Sequence, residues 1–488
     1  MSDCVFDLGA VGAIRDVNAD CLWTGDDIRR AVALRAAKLA GLGAQRGERV
    51  LIAHGGRPEF FVDLFAAWSL GACAACVNPQ LTASELANII AFTEPRVVLS
   101  GDAEPPSALP GTVRSVEGLA PRSSGPGTAT ALRCVPDAAA LILFTSGTTG
   151  NPKGVVHSFA SLRARIDHNL AHMDPTALAR SLCVLPTHFG HGLIGNCLTP
   201  LFAGGELLLA PGGGIAAAAR LAATLDEYAV SFMSSVPAWW KLVLKTSAPP
   251  RLQTLRQVSV GSAPVSAELV RAISAWAGTN DVRNMYGITE TANWAAGSSA
   301  LERAPEDGLV GTMWGGSAAI RDDDGRIRDN GSGELLLRPP SLMTGYFRRP
   351  DLTAEAVRDS WYHTGDIGHI DDSGVIRLTG RSKYEINRAG MKVSPEEIDL
   401  LLERHESVIE ACAFALPDEI AGEIVAVAVH LDPERPVTPE TLRAWCLECI
   451  RRECIPERWF VLDEIPKTDR GKLNRDRVRQ ACLQEVAA

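Results

Sequence analysis

A run of hydroxyl, glycine and lysine residues follows Leu141–Phe144, an apolar stretch that predicts a buried strand. Glycine lets backbone N–H groups approach an anion, hydroxyls add donors, and a lysine adds positive charge. The spacing differs from G-x-x-x-x-G-K-[ST], because Lys153 here follows a proline and precedes a glycine. The sequence therefore predicts a polyphosphate-binding loop of another kind, although an exposed turn would use similar residues. Its members are Thr145, Ser146, Gly147, Thr148, Thr149, Gly150 and Lys153.

A second cluster combines amide, aromatic, hydroxyl and carboxylate groups within seven positions. It reads Asn284-Met285-Tyr286-Gly287-Ile288-Thr289-Glu290. An aromatic face suits a flat base, and a carboxylate suits a hard divalent cation that also takes phosphate oxygens. A simple turn followed by a helix start would look similar. The phosphate loop upstream favours the nucleotide interpretation.

Three more segments carry charged groups in a fixed order. Trp361–Asp366 ends in a carboxylate, and Gly380–Ile398 contains Gly-Arg followed by Gly-x-x-Val-x-Pro-x-Glu-Ile. Ile465–Leu473 ends in a Gly-Lys pair. Taken singly, such charges are usually solvent-facing.

Together the five segments resemble, in order, the signature motifs of the adenylate-forming superfamily. That superfamily includes acyl-CoA and aryl-CoA synthetases, luciferase and the adenylation domains of peptide synthetases. The resemblance covers residues 20–480. It implies an α/β fold with a large N-terminal domain built on parallel sheets and a small, mobile α+β C-terminal domain. The expected domains are 1–380 and 381–488, with a hinge at about 381–384.

The resemblance also implies roles for the residues of the second cluster. Asn284 would bond the adenine amino group and Tyr286, followed by Gly287, would stack on the adenine ring. Thr289 would bond the α-phosphate, and Glu290 would ligate Mg²⁺. Glu290 is thus the expected metal ligand.

The later motifs match the ribose, hinge and catalytic positions of the family. By resemblance, Asp366 accepts from both ribose hydroxyls and Arg381 lies near the ribose and phosphate. Lys383 stands at the hinge position, Gly390 near the pantetheine channel, and Lys472 at the catalytic lysine. An ammonium there can neutralise charge that develops while pyrophosphate leaves.

A turn rich in histidine and glycine is expected at Thr187–Leu193, and the acyl pocket is expected around its Phe189 and His191, with Met285 and Thr291 contributing. The small-residue turn Gly261-Ser262-Ala263 would lie flat against the adenine and acyl groups. The expected lining is 189–196, 236–240, 261–263, 285 and 291–294, and its tryptophan, methionine, histidine and asparagine residues favour a small or aromatic acid over a long chain. Amino acids and dicarboxylates are less favoured, since no aspartate occurs in 187–196 and no arginine stands out for a second carboxylate.

Composition limits the other possibilities. The chain has 488 residues and a net charge of −10, which argues against a nucleic-acid surface. No apolar run reaches the roughly 20 residues of a membrane span. The acidic N-terminus does not resemble a signal peptide, and the twelve cysteines show no framework. A cytoplasmic protein without membrane attachment is expected.

Strands and helices alternate over residues 20–100, which predicts a largely parallel sheet. Thr24 should precede a helix that runs to about Leu42, and Ser84 is expected to cap the helix that reaches Phe92. The stretch 102–130, rich in Pro, Ser and Gly, is expected to be irregular.

The resulting hypothesis is an ATP-dependent acid–CoA ligase with ATP, Mg²⁺ and coenzyme A as cofactors. A small carboxylic acid would become acyl-AMP with release of pyrophosphate, and the thiol of CoA would then take the acyl group. A stand-alone adenylation enzyme that loads an acyl carrier protein is one alternative, and a non-catalytic nucleotide-binding homologue is another. A monomer or a homodimer is expected.

Overall fold

Helices and parallel strands alternate near the start of the chain. The computed structural model describes residues 4–101, 113–115, 131–145, 153–210, 214–388, 391–418, 422–468 and 473–487. Helices Gly25–Gly41, Pro58–Ser69 and Ala83–Thr93 alternate with strands Arg49–Ala53, Cys73–Cys76 and Val97–Ser100. Thr24 caps the first helix in a reciprocal pair with Asp27.

The predicted cap Ser84 is wrong, because the helix begins at Ala83, two residues earlier than a cap at Ser84 implies, and Thr82 caps it. The Thr82 hydroxyl accepts from the N–H of Glu85, and the Glu85 carboxylate accepts from the N–H of Thr82 at 2.8 Å. This capping box needs an acid three residues after the cap. Thr82 has that acid in Glu85, whereas residue 87 after Ser84 is an alanine.

The first large sheet contains the strands on either side of the predicted phosphate loop. Strand Ala139–Thr145 pairs in parallel with Cys73–Cys76 and antiparallel with Lys153–Ser158, so Thr145 lies opposite Lys153. On its far side Lys153–Ser158 pairs with the short strand Gly345–Tyr346. The sheet continues from Cys73–Cys76 through Arg49–Ala53 and Val97–Ser100 to Val113–Ser115.

A second sheet is parallel in its centre and antiparallel at one end. Its parallel strands are Ala13–Asp16, Glu206–Leu209, Arg180–Cys183, Phe232–Ser235, Gln257–Gly261 and Val282–Ile288. The antiparallel part contains Asn293–Ser299, Leu309–Met313, Ile376–Arg381, Trp361–Ile370, Gly331–Arg338, Ser317–Arg321 and Ile327–Arg328. Cys21–Trp23 and Val357–Arg358 add short edge pairings, and Cys4–Asp7 pairs separately with Ala131–Arg133. The remaining helices of this part are Phe159–His172, Thr199–Phe202, Ile215–Tyr228, Pro237–Thr246, Ala267–Ala277 and Pro350–Ala356.

The segment after Arg180–Cys183 differs from the expected turn. Residues His191–Leu198 form a π-helix, which runs directly into Thr199–Phe202. Gly192 and Gly195 permit its close packing: a Cβ on Gly192 would lie 2.2 Å from the carbonyl oxygen of Pro186. Such π-helical segments are rare and frequently lie at functional sites.

The C-terminal part has its own sheet and its own apolar core. Strands Ile386–Arg388, Met391–Val393, Val408–Asp418, Gly422–Leu431 and Arg458–Val461 form the sheet, and helices Pro395–Leu402, Pro439–Cys449 and Arg475–Ala487 accompany it. One core cluster is built entirely from buried residues between Ile386 and Ile455. A self-contained core is typical of a separate domain.

Two ion pairs connect the end of helix Pro395–Leu402 with the larger N-terminal part. Glu403 lies 2.6 Å from Lys241, and Arg404 pairs with Asp307. The Lys241 and Arg404 side chains are 41% and 54% exposed. Surface pairs of this kind contribute about 0–1 kcal/mol each.

Among the described residues, no helix has the length and apolar content needed to cross a bilayer.

Candidate active site

The carboxyl ends of neighbouring parallel strands bring the acyl-pocket candidates together. Strand Gln257–Gly261 leads into Ser262, which has a φ of +70°, and a Cβ on Gly261 would lie 2.5 Å from the carbonyl oxygen of Met285. Only glycine fits there, so the turn can approach the next strand closely. Ala263 is half-buried beside it. In open α/β sheets, ligands bind at this edge.

His191 joins this turn to the first residues of the π-helix. Its Nδ1 lies 2.8 Å from the Ser262 hydroxyl and its Nε2 lies 2.6 Å from the Ser234 hydroxyl. The imidazole is 8% exposed. Two hydroxyl partners fix the ring plane, and a neutral imidazole can donate to one and accept from the other.

Other pocket candidates lie nearby in different settings. The half-buried Phe189 ring is 4.0 Å from the His188 ring, centre to centre. Met285 is buried against Trp294 and Trp314. The Thr291 hydroxyl is fully buried and donates to the carbonyl oxygens of Ile288 and Asn293, so it holds the local turn.

A hydrogen-bonded group joins three separate strands through the side chains of Tyr286, Asp366 and Arg381. The Tyr286 hydroxyl donates to Oδ2 of Asp366 at 2.5 Å, and Nε of Arg381 lies 2.6 Å from Oδ1. Asp366 is 3% exposed, whereas half of the Arg381 side chain is exposed. Burial, and then the Asp366 charge, raise the pKa of Tyr286 well above its usual value, so the phenol remains a donor.

Asn284 lies two residues before Tyr286 on the same strand. Its amide NH₂ donates to the carbonyl oxygen of Leu309 at 2.7 Å, which fixes the side chain. With the NH₂ group engaged, the amide oxygen is the acceptor that an amino group needs. A Cβ on the nearby Gly287 would lie 2.0 Å from the carbonyl oxygen of Asn293, so glycine is required there.

Glu290 and Lys153 both contact the side chain of Tyr346. The hydroxyl of Tyr346 donates to Oε1 of Glu290 at 2.8 Å, and Nζ of Lys153 lies 3.9 Å from the centre of the Tyr346 ring. Glu290 is 8% exposed, and the Tyr362 hydroxyl lies 3.4 Å from that of Tyr346. Burial, reinforced by the Glu290 charge, raises the pKa of Tyr346, which therefore stays protonated.

Two buried basic residues support the backbone of the Thr289–Thr291 segment, one directly and one through a serine hydroxyl. His157 Nε2 lies 2.8 Å from the carbonyl oxygen of Thr289. Arg165 donates to the hydroxyl of Ser341 at 2.7 Å, and that hydroxyl donates to the carbonyl oxygen of Thr291. Burial lowers the pKa of Arg165 to about 9 and the pKa of His157 to about 4. At neutral pH His157 is therefore an uncharged donor.

Sequence reasoning missed Tyr346, His157 and Arg165 as members of this site. An aromatic beside a glycine, as in Gly345–Tyr346, is as common in a core as in a site. His157 stands on a strand adjacent to the phosphate loop, and that adjacency was the one available signal. No spacing rule connects Arg165 to Thr291, because the two meet only in the folded chain.

The remaining candidates are divided between described and undescribed residues. Thr145 lies at the strand end, its hydroxyl 3.5 Å from the carbonyl oxygen of Lys153. Lys383 occupies a short 3₁₀ turn, Ser382–Tyr384, and its ammonium is 3.4 Å from Asp476. Several candidates lie outside the described residues: Ser146, Gly147, Thr148, Thr149, Gly150, Gly390 and Lys472.

The sequence matches the AMP-binding enzyme family over residues 10–347, which is more than half of the chain. The chain belongs to this family. Residues 397–472 match the AMP-binding enzyme C-terminal domain. The predicted membership of the adenylate-forming superfamily is therefore confirmed.

Curated relatives are similar over almost the whole chain. Oxalate–CoA ligase of Arabidopsis thaliana is 31% identical, over 94% of this chain and 93% of the relative. The fatty acid–[acyl-carrier-protein] ligase ScoC of Streptomyces coeruleorubidus is also 31% identical, over 92% and 89%. Both are acid–thiol ligases by name. The predicted enzyme class, an AMP-forming acid–thiol ligase, is confirmed at that level.

A solved structure supports the fold. O-succinylbenzoate coenzyme A synthetase of Bacillus subtilis, in complex with AMP, superposes with a TM-score of 0.84 and 22% identity, covering 97% of this chain and 96% of that chain. At this identity the likeness concerns the fold. It confirms the predicted α/β architecture with a large N-terminal and a small C-terminal domain.

Proposed function

We propose that this chain activates a carboxylic acid with ATP as an acyl-adenylate and then transfers the acyl group to the thiol of coenzyme A. The observation that carries the proposal is a pair of side-chain clusters, each built around a buried carboxylate, that suit a nucleotide. Asp366 is held between Tyr286 and Arg381, and Glu290 is held by Tyr346 beside Lys153. Membership of the AMP-binding enzyme family supports the assignment of these side chains to nucleotide binding.

ATP would bind along the edge shared by the two sheets. Tyr286 and Asn284 would contact the adenine, and Asp366 would accept hydrogen bonds from the ribose hydroxyls. The phosphates would lie against Lys153 and the loop that follows Thr145, with Thr289 near the α-phosphate. The fixed positions of Asn284 and Asp366 support this orientation, since both side chains are already held by protein partners.

The donor set at Glu290 suits Mg²⁺ shared with phosphates. A carboxylate is a hard oxygen ligand, and Mg²⁺ is usually bound by one or two carboxylates together with substrate phosphates and water. In the described part of the chain, no group of three or more His, Cys, Asp or Glu residues could hold a metal alone. Glu290 would therefore hold an ion that arrives with ATP, and that ion would neutralise phosphate charge.

In the first half-reaction a carboxylate oxygen of the acid attacks the α-phosphorus. The bond from that phosphorus to the bridging oxygen breaks, and pyrophosphate leaves with the electron pair. Lys472, carried by the C-terminal domain, would stabilise the charge that develops in this transition state. Lys153 would add positive charge at the phosphates.

In the second half-reaction the thiol sulfur attacks the acyl carbon, and AMP leaves as the carbon–oxygen bond breaks. The thiol loses its proton, and a thioester forms. The proposal includes a rotation of the C-terminal domain, residues 381–488, about Lys383, which would exchange Lys472 for the Gly390 region. Holding both partners in one cleft supplies orientation.

The acceptor has one specific alternative. A relative of equal identity is named for an acyl-carrier-protein acceptor, and another is named for CoA. Loading of a carrier-protein phosphopantetheine is therefore the second candidate function. Both acceptors present the same pantetheine thiol, so the cleft chemistry is the same for both.

The test is mass spectrometry of AMP and thioester formation across a panel of carboxylic acids, with and without CoA. Acyl-CoA from at least one acid is the expected result. Acyl-AMP that CoA never discharges, but a phosphopantetheinylated carrier protein does, would favour the second candidate. No adenylate from any acid, together with retained ATP binding, would contradict both functions and favour a non-catalytic nucleotide-binding protein.

A further inference from the structure

The strand that carries Asp366 bulges just before this residue. Its pairing with the neighbouring strand runs from His363 opposite Leu336 to Ile367 opposite Glu334, so four steps on one strand lie opposite two steps on the other. Bulges re-aim side chains and are over-represented next to active sites. The direction of the Asp366 carboxylate therefore depends on how the bulge is fixed.

The carboxylate of Glu334 contacts this bulge from the neighbouring strand. Its Oε1 accepts from the N–H of Gly365 at 3.3 Å. Its Oε2 lies 3.2 Å from Nδ1 of His363 and 3.5 Å from a guanidinium nitrogen of Arg321, and both contacts restrict the carboxylate. The Glu334 side chain is 17% exposed. A backbone N–H that donates to an ionised carboxylate forms a charge-assisted hydrogen bond, which is stronger than a neutral one.

Glycine is required in the bulge for its backbone conformation and not for lack of space. Gly365 has a φ of +69°, and the nearest described atom to a Cβ there would be the Ser382 hydroxyl oxygen, at 3.7 Å. Glycine adopts both hands of φ about equally well, so the residue itself does not select one conformation. The hydrogen bond to Glu334 makes that selection.

Thr364 provides a second contact between the bulge and the neighbouring strand. Its hydroxyl donates to the carbonyl oxygen of Leu335 at 2.7 Å and accepts from the N–H of Asp366 at 2.9 Å. Two adjacent residues, Glu334 and Leu335, thus contact the two residues that precede Asp366. The backbone that carries the proposed ribose acceptor is therefore fixed from one strand.

We propose that Glu334 is a positioning residue for nucleotide recognition, which acts through the backbone of Gly365 on the Asp366 carboxylate. Glu334 lies outside all five motif segments of the sequence. A binding group has to be held within about 0.5 Å of its productive position, so a loosened bulge should weaken recognition of the ribose hydroxyls first. This inference rests on the proposed binding of ATP and adds a residue that controls it.

The test compares ATP with 2′,3′-dideoxy-ATP, which lacks both ribose hydroxyls, by isothermal titration calorimetry with Mg²⁺. The wild type should bind ATP about tenfold more tightly, because hydrogen bonds to a charged group are worth more than neutral ones. Glu334→Leu removes the acceptor for Gly365, so the affinity for ATP should fall about fivefold while the affinity for 2′,3′-dideoxy-ATP stays within about twofold. A purely structural role would weaken the binding of both nucleotides equally.

Two further variants separate positioning from a general loss of structure. Glu334→Gln keeps an acceptor within reach of the Gly365 N–H, so the preference for ATP should stay within about twofold of the wild type. The matched control is Glu206→Leu, on another strand of the same sheet. It removes a carboxylate of similar burial, 18% exposed, that pairs with Arg15 at 2.7 Å. The control should leave the preference for ATP unchanged.

Thermal unfolding midpoints report whether each variant folds. Glu334→Thr, which suits a strand, takes the place of the leucine variant if that variant does not fold. Equal losses for both nucleotides in the variant that lacks the carboxylate would overturn the inference. A preference that Glu334→Gln fails to retain, or that Glu206→Leu also loses, would overturn it as well.

The outcomes are distinguishable from those of the proposed function, because nucleotide binding is measured without an acid. The expected pattern of nucleotide affinities, without activation of any acid, would support the role of Glu334 and contradict acid activation. Acid activation by a wild type that binds both nucleotides equally would do the reverse. A wild type that binds neither nucleotide would overturn both proposals.

Discussion

The nucleotide side of the proposed cleft differs in its contacts from the seam with the C-terminal domain. The seam is the pair of contacts Lys241–Glu403 and Asp307–Arg404. On the nucleotide side, Tyr286, Asp366 and Glu290 are each at most 8% exposed; Tyr286 donates to Asp366, and Tyr346 donates to Glu290. At the seam, Lys241 and Glu403 meet in a partly exposed ion pair. The first group is fixed before any ligand arrives, and the second is open to solvent.

This difference indicates where the molecule can move at low cost. A buried network is costly to break, because each separated group loses its partner without gaining water. Exposed ion pairs exchange protein partners for water at a cost of about 0–1 kcal/mol each. The arrangement is consistent with a rigid nucleotide site and a C-terminal domain whose position can change during the reaction.

Among variants of residues that the structure describes, the largest expected effect comes from Asp366→Asn. The change removes a carboxylate that holds both Tyr286 and Arg381 and that is the proposed ribose acceptor. A loss of about 3 kcal/mol, or about a hundredfold in kcat/KM for ATP, is expected from breaking a buried charge-assisted pair. The measurement is ATP–pyrophosphate exchange.

The matched control for that variant is Asp476→Asn. Asp476 pairs with Lys383 at 3.4 Å, but the carboxylate is 40% exposed. The same chemical change should therefore alter the exchange less than twofold. Similar losses in the two variants would show that burial of the carboxylate does not decide the size of the effect.

The next effect concerns pH and the buried His157. Burial, reinforced by Arg165 and opposed by the hydrogen bond to Thr289, lowers the pKa of His157 to about 4, below its ordinary value near 6.5. Between these values the unfolded chain binds the proton and the folded chain does not. Stability should therefore fall as the pH falls through this window, by about 2 kcal/mol at pH 5 and about 3 kcal/mol at pH 4.

Thermal unfolding midpoints at pH 7 and pH 5 test this expectation. The wild type should lose more of its midpoint on acidification than His157→Gln, which keeps a donor for Thr289 but does not titrate. His369→Gln is the control, because His369 lies in an exposed contact with Ser332 and should follow the wild type. Equal acid sensitivity in wild type and His157→Gln would rule out His157 as the source.

A smaller effect is expected for Tyr346→Phe. This variant keeps the ring beneath Lys153 and removes the hydroxyl that holds Glu290. The loss of one hydrogen bond to a charged group is worth about 1.5–3 kcal/mol at most, so adenylate formation should fall about tenfold, with a raised Mg²⁺ requirement. Tyr384→Phe, in the exposed lysine–tyrosine contact of the C-terminal side, should leave both quantities unchanged.

The smallest effect belongs to the seam. Lys241→Ala and Glu403→Ala, alone and combined, should show a coupling of about 0.2–1 kcal/mol in thermal stability, and salt should weaken it. These variants should instead change the ratio between the rates of adenylation and thioester formation severalfold. A coupling of several kcal/mol would mean that the domain is fixed in this position.

Local chemistry explains what the sequence could and could not predict. The strand beginning at Ala139 and the helix beginning at Gly25 follow from apolar spacing and a capping threonine, both of which are local signals. The π-helix from His191 has no apolar period of its own, so it was expected to be a turn. It exists because two glycines allow the backbone to pack closely.

The composition of the site was predictable only in part, for a similar reason. The motifs contain Asp366 and Glu290, but the hydroxyls that hold them come from residues 80 and 56 positions away. Tertiary contacts decide these features.

The division of labour between the two regions is tested most directly by comparing Lys472→Ala and Asp366→Asn in both half-reactions. Lys472→Ala should lower ATP-dependent adenylation about a hundredfold or more, because a charge aimed at the transition state is removed. It should largely spare thiol attack on preformed acyl-AMP, whereas Asp366→Asn should impair both steps. Equal loss of both half-reactions in Lys472→Ala would contradict the account.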